Sequence, residues 1–254
     1  MLHEEQLRKI LPNDKFVALK SFIQKYTSDP NVIGLFLTGS FVHGDPGPTS
    51  DLDLYIILES SETRTRGNSF VNGTEIEYFI NPIRQVEQYF KDEYSDKINT
   101  AHMFANSIIL YQKGPELQRL IELAQFYVSK PLPDLTEYDI YLGRYFLDDL
   151  RKDLLDALDI NDKITFELVS SEIVEQLINN FGKIKKIYPA KSKRLFHQIN
   201  QIDSSFANKL KNYLECTDKI QKRFELLNEC IKHIENLFGG SRPDDYSFTS
   251  KLTV

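Results

Sequence analysis

The sequence predicts an α+β protein in two parts, a domain of alternating strands and helices followed by an all-helical domain. Three observations carry this. Two short apolar runs, Val32 to Thr38 and Leu52 to Leu58, have the length and β-branched content of buried strands. The stretch Lys130-Pro131-Leu132-Pro133-Asp134 places two prolines where no helix can continue. Beyond it every apolar pattern has helical spacing, with no convincing strand. The expected boundaries are 1–130 for the first domain, 135–240 for a helical bundle and 241–254 for an extended tail.

Taken in order, residues 15–26 space their apolar side chains as a helix does. Val32 to Thr38 follows as a strand ending at Gly39, and Leu52 to Leu58 as a second. The polar stretch Glu59 to Asn68, with Gly67 and Gly73 beyond, reads as a connection in a hairpin. Glu75 to Ile80 is a third strand. Pro82 then opens a helix running to about Tyr94, since proline suits the first helical turn. Ser107 to Gln112 is a further strand closed by Lys113-Gly114-Pro115, and residues 116–129 form an amphipathic helix. The helical part holds segments 137–159, 163–187, 191–201, 204–215 and 218–238. The final GGSRPDDYSFTSKLTV is polar and broken by glycine and proline.

Composition narrows the classes. Of 254 residues, 41% are hydrophobic and 27% charged, the profile of a globular chain rather than a disordered one. No apolar run approaches the roughly 20 residues that span a bilayer. The opening MLHEEQLRKI lacks the apolar core of a secretion signal. Cys216 and Cys230 are read as reduced helix residues, so the expected compartment is the cytoplasm. A net charge of −6 argues against a chain built to hold a nucleic-acid backbone, which needs a basic face.

One stretch carries chemistry. Between Gly39-Ser40 and Ser50-Asp51-Leu52-Asp53, two aspartates two residues apart project to one side while Leu52 and Leu54 point inward. Two carboxylates at that spacing suit hard cations such as Mg²⁺, which prefer oxygen ligands and bring substrate phosphates with them. Gly39 at a strand end lets the backbone approach a phosphate, to which Ser40 can donate. A third ligand is expected from the strand holding Glu75 and Glu77, and spacing alone does not choose between them. Other charged groups read as plain surface. These are the basic cluster of Lys183, Lys185, Lys186, Lys191, Lys193 and Arg194, and Arg64 and Arg66 in the hairpin connection. His102, His197 and His233 lack metal-ligand spacing and are read as structural.

Gly-Ser, then Ser-Asp-x-Asp ten positions on, then an acid on a later strand, resembles the DNA polymerase β-like nucleotidyltransferase superfamily. Within it the chain is most similar to the aminoglycoside nucleotidyltransferases of the kanamycin type. The block Ala101-His102-Met103-Phe104 leading to Ile109-Leu110-Tyr111 extends the likeness, as does the helical second half. The resemblance implies a mixed sheet with helices in the first domain. It implies that Asp51, Asp53 and Glu77 are catalytic metal ligands for two Mg²⁺ ions. Gly39, Ser40 and Ser50 would hold the nucleotide, with His43 standing where relatives often carry arginine or lysine. It further implies a catalytic base on the first helix of the second domain, with a lysine one turn later. Asp148 and Lys152, four apart on one helix face, match that pattern, Lys152 on the nucleotide and Asp149 as the alternative base.

The expected activity is transfer of a nucleoside monophosphate from an NTP, ATP first, to a hydroxyl of a small molecule such as an aminoglycoside or lincosamide antibiotic, with release of pyrophosphate. A homodimer is implied by the same likeness, and no membrane or nucleic-acid partner is expected. Two other readings differ in class: a nucleotidyltransferase acting on protein or RNA, of the toxin–antitoxin kind, and a nucleotide-binding module without catalysis. The first usually carries Ala-Arg after Gly-Ser, where this chain has Phe41-Val42-His43.

Overall fold

The computed structural model describes residues 3–94 and 99–245, with residues 247 and 249. The chain divides into two compact units, Met1–Lys130 and Pro131–Val254. The first contains α1 (Glu4–Ile10), α2 (Asn13–Thr27), β1 (Val32–Thr38), α3 (Ser40–His43), β2 (Leu52–Leu58), β3 (Thr65–Val71), β4 (Thr74–Pro82), α4 (Ile83–Asp92), α5 (Asn99–Ala105), β5 (Ile108–Gln112) and α6 (Glu116–Ser129). Its sheet runs β3-β4-β2-β1-β5. β2 and β4 are parallel and the other neighbours antiparallel, so the sheet is mixed.

Burial explains why the central strands are continuous apolar runs. Every residue of β1 is buried, because both faces of the sheet are covered. Leu35 and Leu37 join Phe16, Leu19, Leu52, Leu54 and Ile76 in one core. Phe36, pointing the other way, meets Phe104 edge-on at 4.9 Å, and Phe104 in turn meets Tyr55 and Phe90 at 4.8 and 5.5 Å. These aromatics fasten α4 and α5 to the sheet.

The expected hairpin connection is in part a strand. Thr65 to Val71 forms edge strand β3, joined to β4 by Asn72 and Gly73, both at positive φ (51° and 80°). Asn-Gly with that backbone is the strongest short signal of a two-residue hairpin turn. The strand itself is hard to read because it is polar, largely exposed and has no apolar alternation.

The second unit is helical: α7 (Glu137–Asp159), α8 (Lys163–Lys185), α9 (Ser192–Ile202), α10 (Ser204–Glu215) and α11 (Ile220–Leu237). Aspartates and a threonine set the starts of α7, α8 and α10. The Thr136 hydroxyl accepts from the Asp139 N–H while the Asp139 carboxylate accepts from the Thr136 N–H. Asp162 and Asp203 cap α8 and α10. The core gathers Leu147, Leu154, Phe166, Ile173, Phe181, Phe206, Cys230 and Ile231. His233 stacks on Phe206 at 5.3 Å and bonds Asp203 at 3.0 Å, a structural role. Much of the expected tail 241–254 lies outside the described residues. Arg242, within it, pairs with Asp148 at 3.1 Å.

Candidate functional site

Register decides which acids meet. In the parallel pair β2–β4, Asp53 lies level with Glu77, and in the antiparallel pair β1–β2, Thr38 lies level with Asp53. One row therefore crosses three strands at the end of β1. Asp51 sits just ahead of β2 rather than within it, and Asp51, Asp53 and Glu77 each offer a carboxylate oxygen within 4.8 Å of the others. All three are half-buried. An all-oxygen, three-carboxylate set of this tightness fits a hard divalent cation. Glu75, two residues earlier, accepts from the Asn68 side-chain amide at 2.7 Å and is outside the cluster.

Gly39 is fixed by two independent demands. Its φ of 82° and ψ of −160° belong to a backbone that side chains disfavour. A Cβ at this position would also lie 1.8 Å from Asp53 Oδ2. The Asp53 carboxylate thus rests against bare backbone. Short helix α3 follows, and Gly44 at φ 77° ends it. Ser40 is half-buried and His43 exposed. His102 lies near enough to His43 for their charges to interact. Although part of His102 stays in contact with solvent, desolvation of its ring first, and His43 second, lower its pKa.

The loop into Asp51 is held from outside the motif. The Gly47 N–H donates to the Ser50 hydroxyl at 2.8 Å, and Lys15 of α2 donates from Nζ to the Ser50 carbonyl at 2.8 Å. The Lys15 ammonium also stands 5.3 Å from the Phe41 ring centre. No sequence signal points to Lys15, because its partner lies 35 residues away.

Arg66, read from the sequence as a loop residue, lies on β3 and reaches the cluster. It donates from Nε at 2.8 Å and from Nη2 at 2.6 Å to Glu77 Oε1. A shallow polar hollow lined by Ser61, Glu62, Arg64, Arg84 and Gln85 includes none of the three acids.

Asp148 and Lys152 are in the second unit, on α7. Asp148 accepts from Arg151 Nη2 at 2.9 Å and pairs with Lys152 Nζ at 2.9 Å and Arg242 Nη2 at 3.1 Å. Arg151 also reaches buried Glu235 at 3.2 Å. Burial alone would raise the pKa of Asp148. Hydrogen bonds from Lys152 and Arg151 and the charge of Arg242 outweigh it, so the net shift is downward. Asp149, one residue on, is exposed.

Residues 18–113 match the family described as the nucleotidyltransferase domain. No curated protein matches the chain. Among solved structures, a nucleotidyltransferase-like protein from Exiguobacterium sibiricum 255-15, solved at 1.90 Å, aligns with a TM-score of 0.51. The alignment covers 86% of this chain and 73% of that one at 11% identity. Such a likeness speaks for the fold alone. Among the described residues no helix is long and apolar enough to cross a membrane.

Proposed function

With residues 18–113 a nucleotidyltransferase domain and an NTP its substrate, we propose that the chain moves a nucleoside monophosphate from an NTP, ATP first, to a hydroxyl of a small molecule. The observation that carries this is the trio of carboxylates at Asp51, Asp53 and Glu77 beside the bare backbone of Gly39. The acceptor class suggested by the sequence resemblance is an aminoglycoside or lincosamide. A polycationic acceptor also suits an acidic chain of net charge −6. The working form is a cytoplasmic enzyme, and a homodimer follows from the same resemblance.

In this reading Asp51, Asp53 and Glu77 hold two magnesium ions. When bound, these supply charge neutralisation for the triphosphate and acidify the acceptor hydroxyl. Gly39 gives the phosphates access to the backbone, and the Ser40 hydroxyl donates to them. Ser50, His43 and Lys152 complete the nucleotide contacts. The acceptor hydroxyl gives its proton to Asp148, or to Asp149 as the alternative. Its oxygen then bonds to the α-phosphorus as the bond from that phosphorus to the pyrophosphate oxygen breaks. A carboxylate with three cationic neighbours is a weak base.

The test is pyrophosphate release with Mg²⁺ and each NTP across aminoglycosides, lincosamides and a no-acceptor blank, beside Asp51→Ala. Release that requires one drug and is lost in the variant, by about a thousandfold or more, is expected. Release that persists undiminished in Asp51→Ala would sink the site. Silence with every drug would remove the antibiotic acceptor.

A further inference from the structure

Arg66 brings a positive charge onto one of the three clustered acids. Its Nε and Nη2 both donate to the same oxygen, Glu77 Oε1, at 2.8 and 2.6 Å. Among the described residues no hydrogen bond reaches Oε2 of Glu77. The two side chains differ sharply in exposure, with 18% of Glu77 open to solvent and 71% of Arg66. The guanidinium carbon also lies 5.1 Å from the ring centre of Phe79, its cross-strand neighbour, which itself stacks on Tyr55 at 4.7 Å. Arg66 therefore rests on an aromatic shelf with its outer side in water.

Three carboxylates within 4.8 Å repel one another, and Arg66 offsets one of their charges. A divalent ion bound through Glu77 faces that same guanidinium. It must either displace two N–H donors from Oε1 or take Oε2 a few ångströms from that positive charge. At such separations the repulsion of a doubly charged ion amounts to about tenfold in affinity at low salt, and less as salt rises. Orienting one glutamate side chain is worth less, because an ion pair with so exposed an arginine contributes little. Competition therefore outweighs positioning.

The same exposure makes the arginine easy to release. A guanidinium fork matches phosphate oxygens two at a time, and a triphosphate offers more negative charge than a single carboxylate. We propose that Arg66 is a built-in counter-cation of Glu77. It competes with the divalent ion for this carboxylate and yields it when a nucleoside triphosphate arrives, so that nucleotide favours loading at Glu77. The proposal rests on the reading of Asp51, Asp53 and Glu77 as a metal site.

The experiment is Mn²⁺ binding followed by electron paramagnetic resonance on the full chain, first without nucleotide and then with a non-cleavable α,β-methylene NTP. Wild type, Arg66→Gln, Arg66→Lys, Glu77→Gln, Asp51→Asn and the double Arg66→Gln/Glu77→Gln variant are compared at low and high salt. Without nucleotide, Arg66→Gln is expected to bind Mn²⁺ about three- to tenfold more tightly at low salt, with the gain shrinking at high salt. The gain should vanish in the Glu77→Gln background, and Arg66→Lys should stay near wild type. With the analogue, Arg66→Gln should bind Mn²⁺ and nucleotide more weakly than wild type. Unchanged or weaker Mn²⁺ binding in Arg66→Gln would overturn the proposal, as would an equal gain in the Glu77→Gln background. Were wild type to bind no Mn²⁺ that Asp51→Asn removes, the metal reading itself would fall, an outcome distinct from both.

Discussion

Gly39 and Asp53 constrain each other at the level of single atoms. A methyl group at position 39 would lie 1.8 Å from Asp53 Oδ2, so the carboxylate must turn away or the strand ends must part. Gly39→Ala is therefore expected to act on the site more than on the fold. Its backbone, at positive φ with ψ near −160°, costs about 1–3 kcal/mol of stability once a side chain is present, while displacing a carboxylate of the acidic cluster by an ångström costs about a hundredfold in turnover. Urea unfolding together with pyrophosphate release measures both. A full-rate Gly39→Ala enzyme would refute the packing argument. The sequence makes the glycine legible as a place where a phosphate can approach; its closeness to Asp53 depends on cross-strand register. Register also separates the two glutamates. Glu75 and Glu77 are equivalent on a period-two pattern, and only the pairing of Asp53 with Glu77 in β2–β4 distinguishes them.

At the scale of elements, legibility followed burial. β1 and β2 are read to the residue because both faces are covered and the apolar runs are unbroken. The helices of the second unit are read nearly as well, since each buries a periodic stripe. β3 has little signature in the sequence because its stability comes from pairing rather than from its own composition. A Cβ on Gly67 would meet the Tyr78 hydroxyl at 2.6 Å, so the neighbouring strand's ring fills the space that a side chain here would take. The hairpin depends instead on its turn. A Cβ on Gly73 would meet nothing within 4 Å, so Gly73→Ala pays only for its φ of 80°. We expect a loss of about 1–2 kcal/mol in urea unfolding, with weaker Mn²⁺ binding because β4 carries Glu77. A neutral Gly73→Ala would mean that the turn is set by the strands.

For the whole molecule, the second unit carries a group of acids whose charged form is favoured by the fold. Asp139, Asp148 and Asp203 all have lowered pKa values. For Asp139 the Thr136 hydroxyl leads. For Asp148 and Asp203 burial opposes the shift but is outweighed by donors, among them Lys152 and Arg151 for the one and the Phe206 N–H and His233 for the other. A carboxylate whose pKa is lower folded than unfolded adds stability above the unfolded value. That stability is lost as pH falls through the folded value. The second unit should therefore hold its helices down to about pH 4 and lose stability progressively below it. Asp148→Asn should remove part of this acid dependence and cost about 1–3 kcal/mol at neutral pH, read by helical circular dichroism across a pH series. Asp149→Asn, altering an exposed group, should leave stability unchanged. If it nonetheless abolishes turnover, the base is Asp149. An Asp148→Asn acid profile identical to wild type would mean that the ion cluster is inert. Of the ion cluster around Asp148, the Lys152 partner four residues on is legible in the sequence, whereas Arg242, which joins from nearly a hundred residues away, is not.

The cysteines give the chain a ready-made handle for spectroscopy. Cys230 is buried in the second core, and burial pushes its thiol up to about 12, which starves it of thiolate at neutral pH. Cys216, half-exposed just after α10, is the thiol that a maleimide dye would reach first. A single fluorophore or spin label can therefore be placed on the helical unit of the unmodified protein, and its partner dye introduced anywhere on the sheet unit by one substitution.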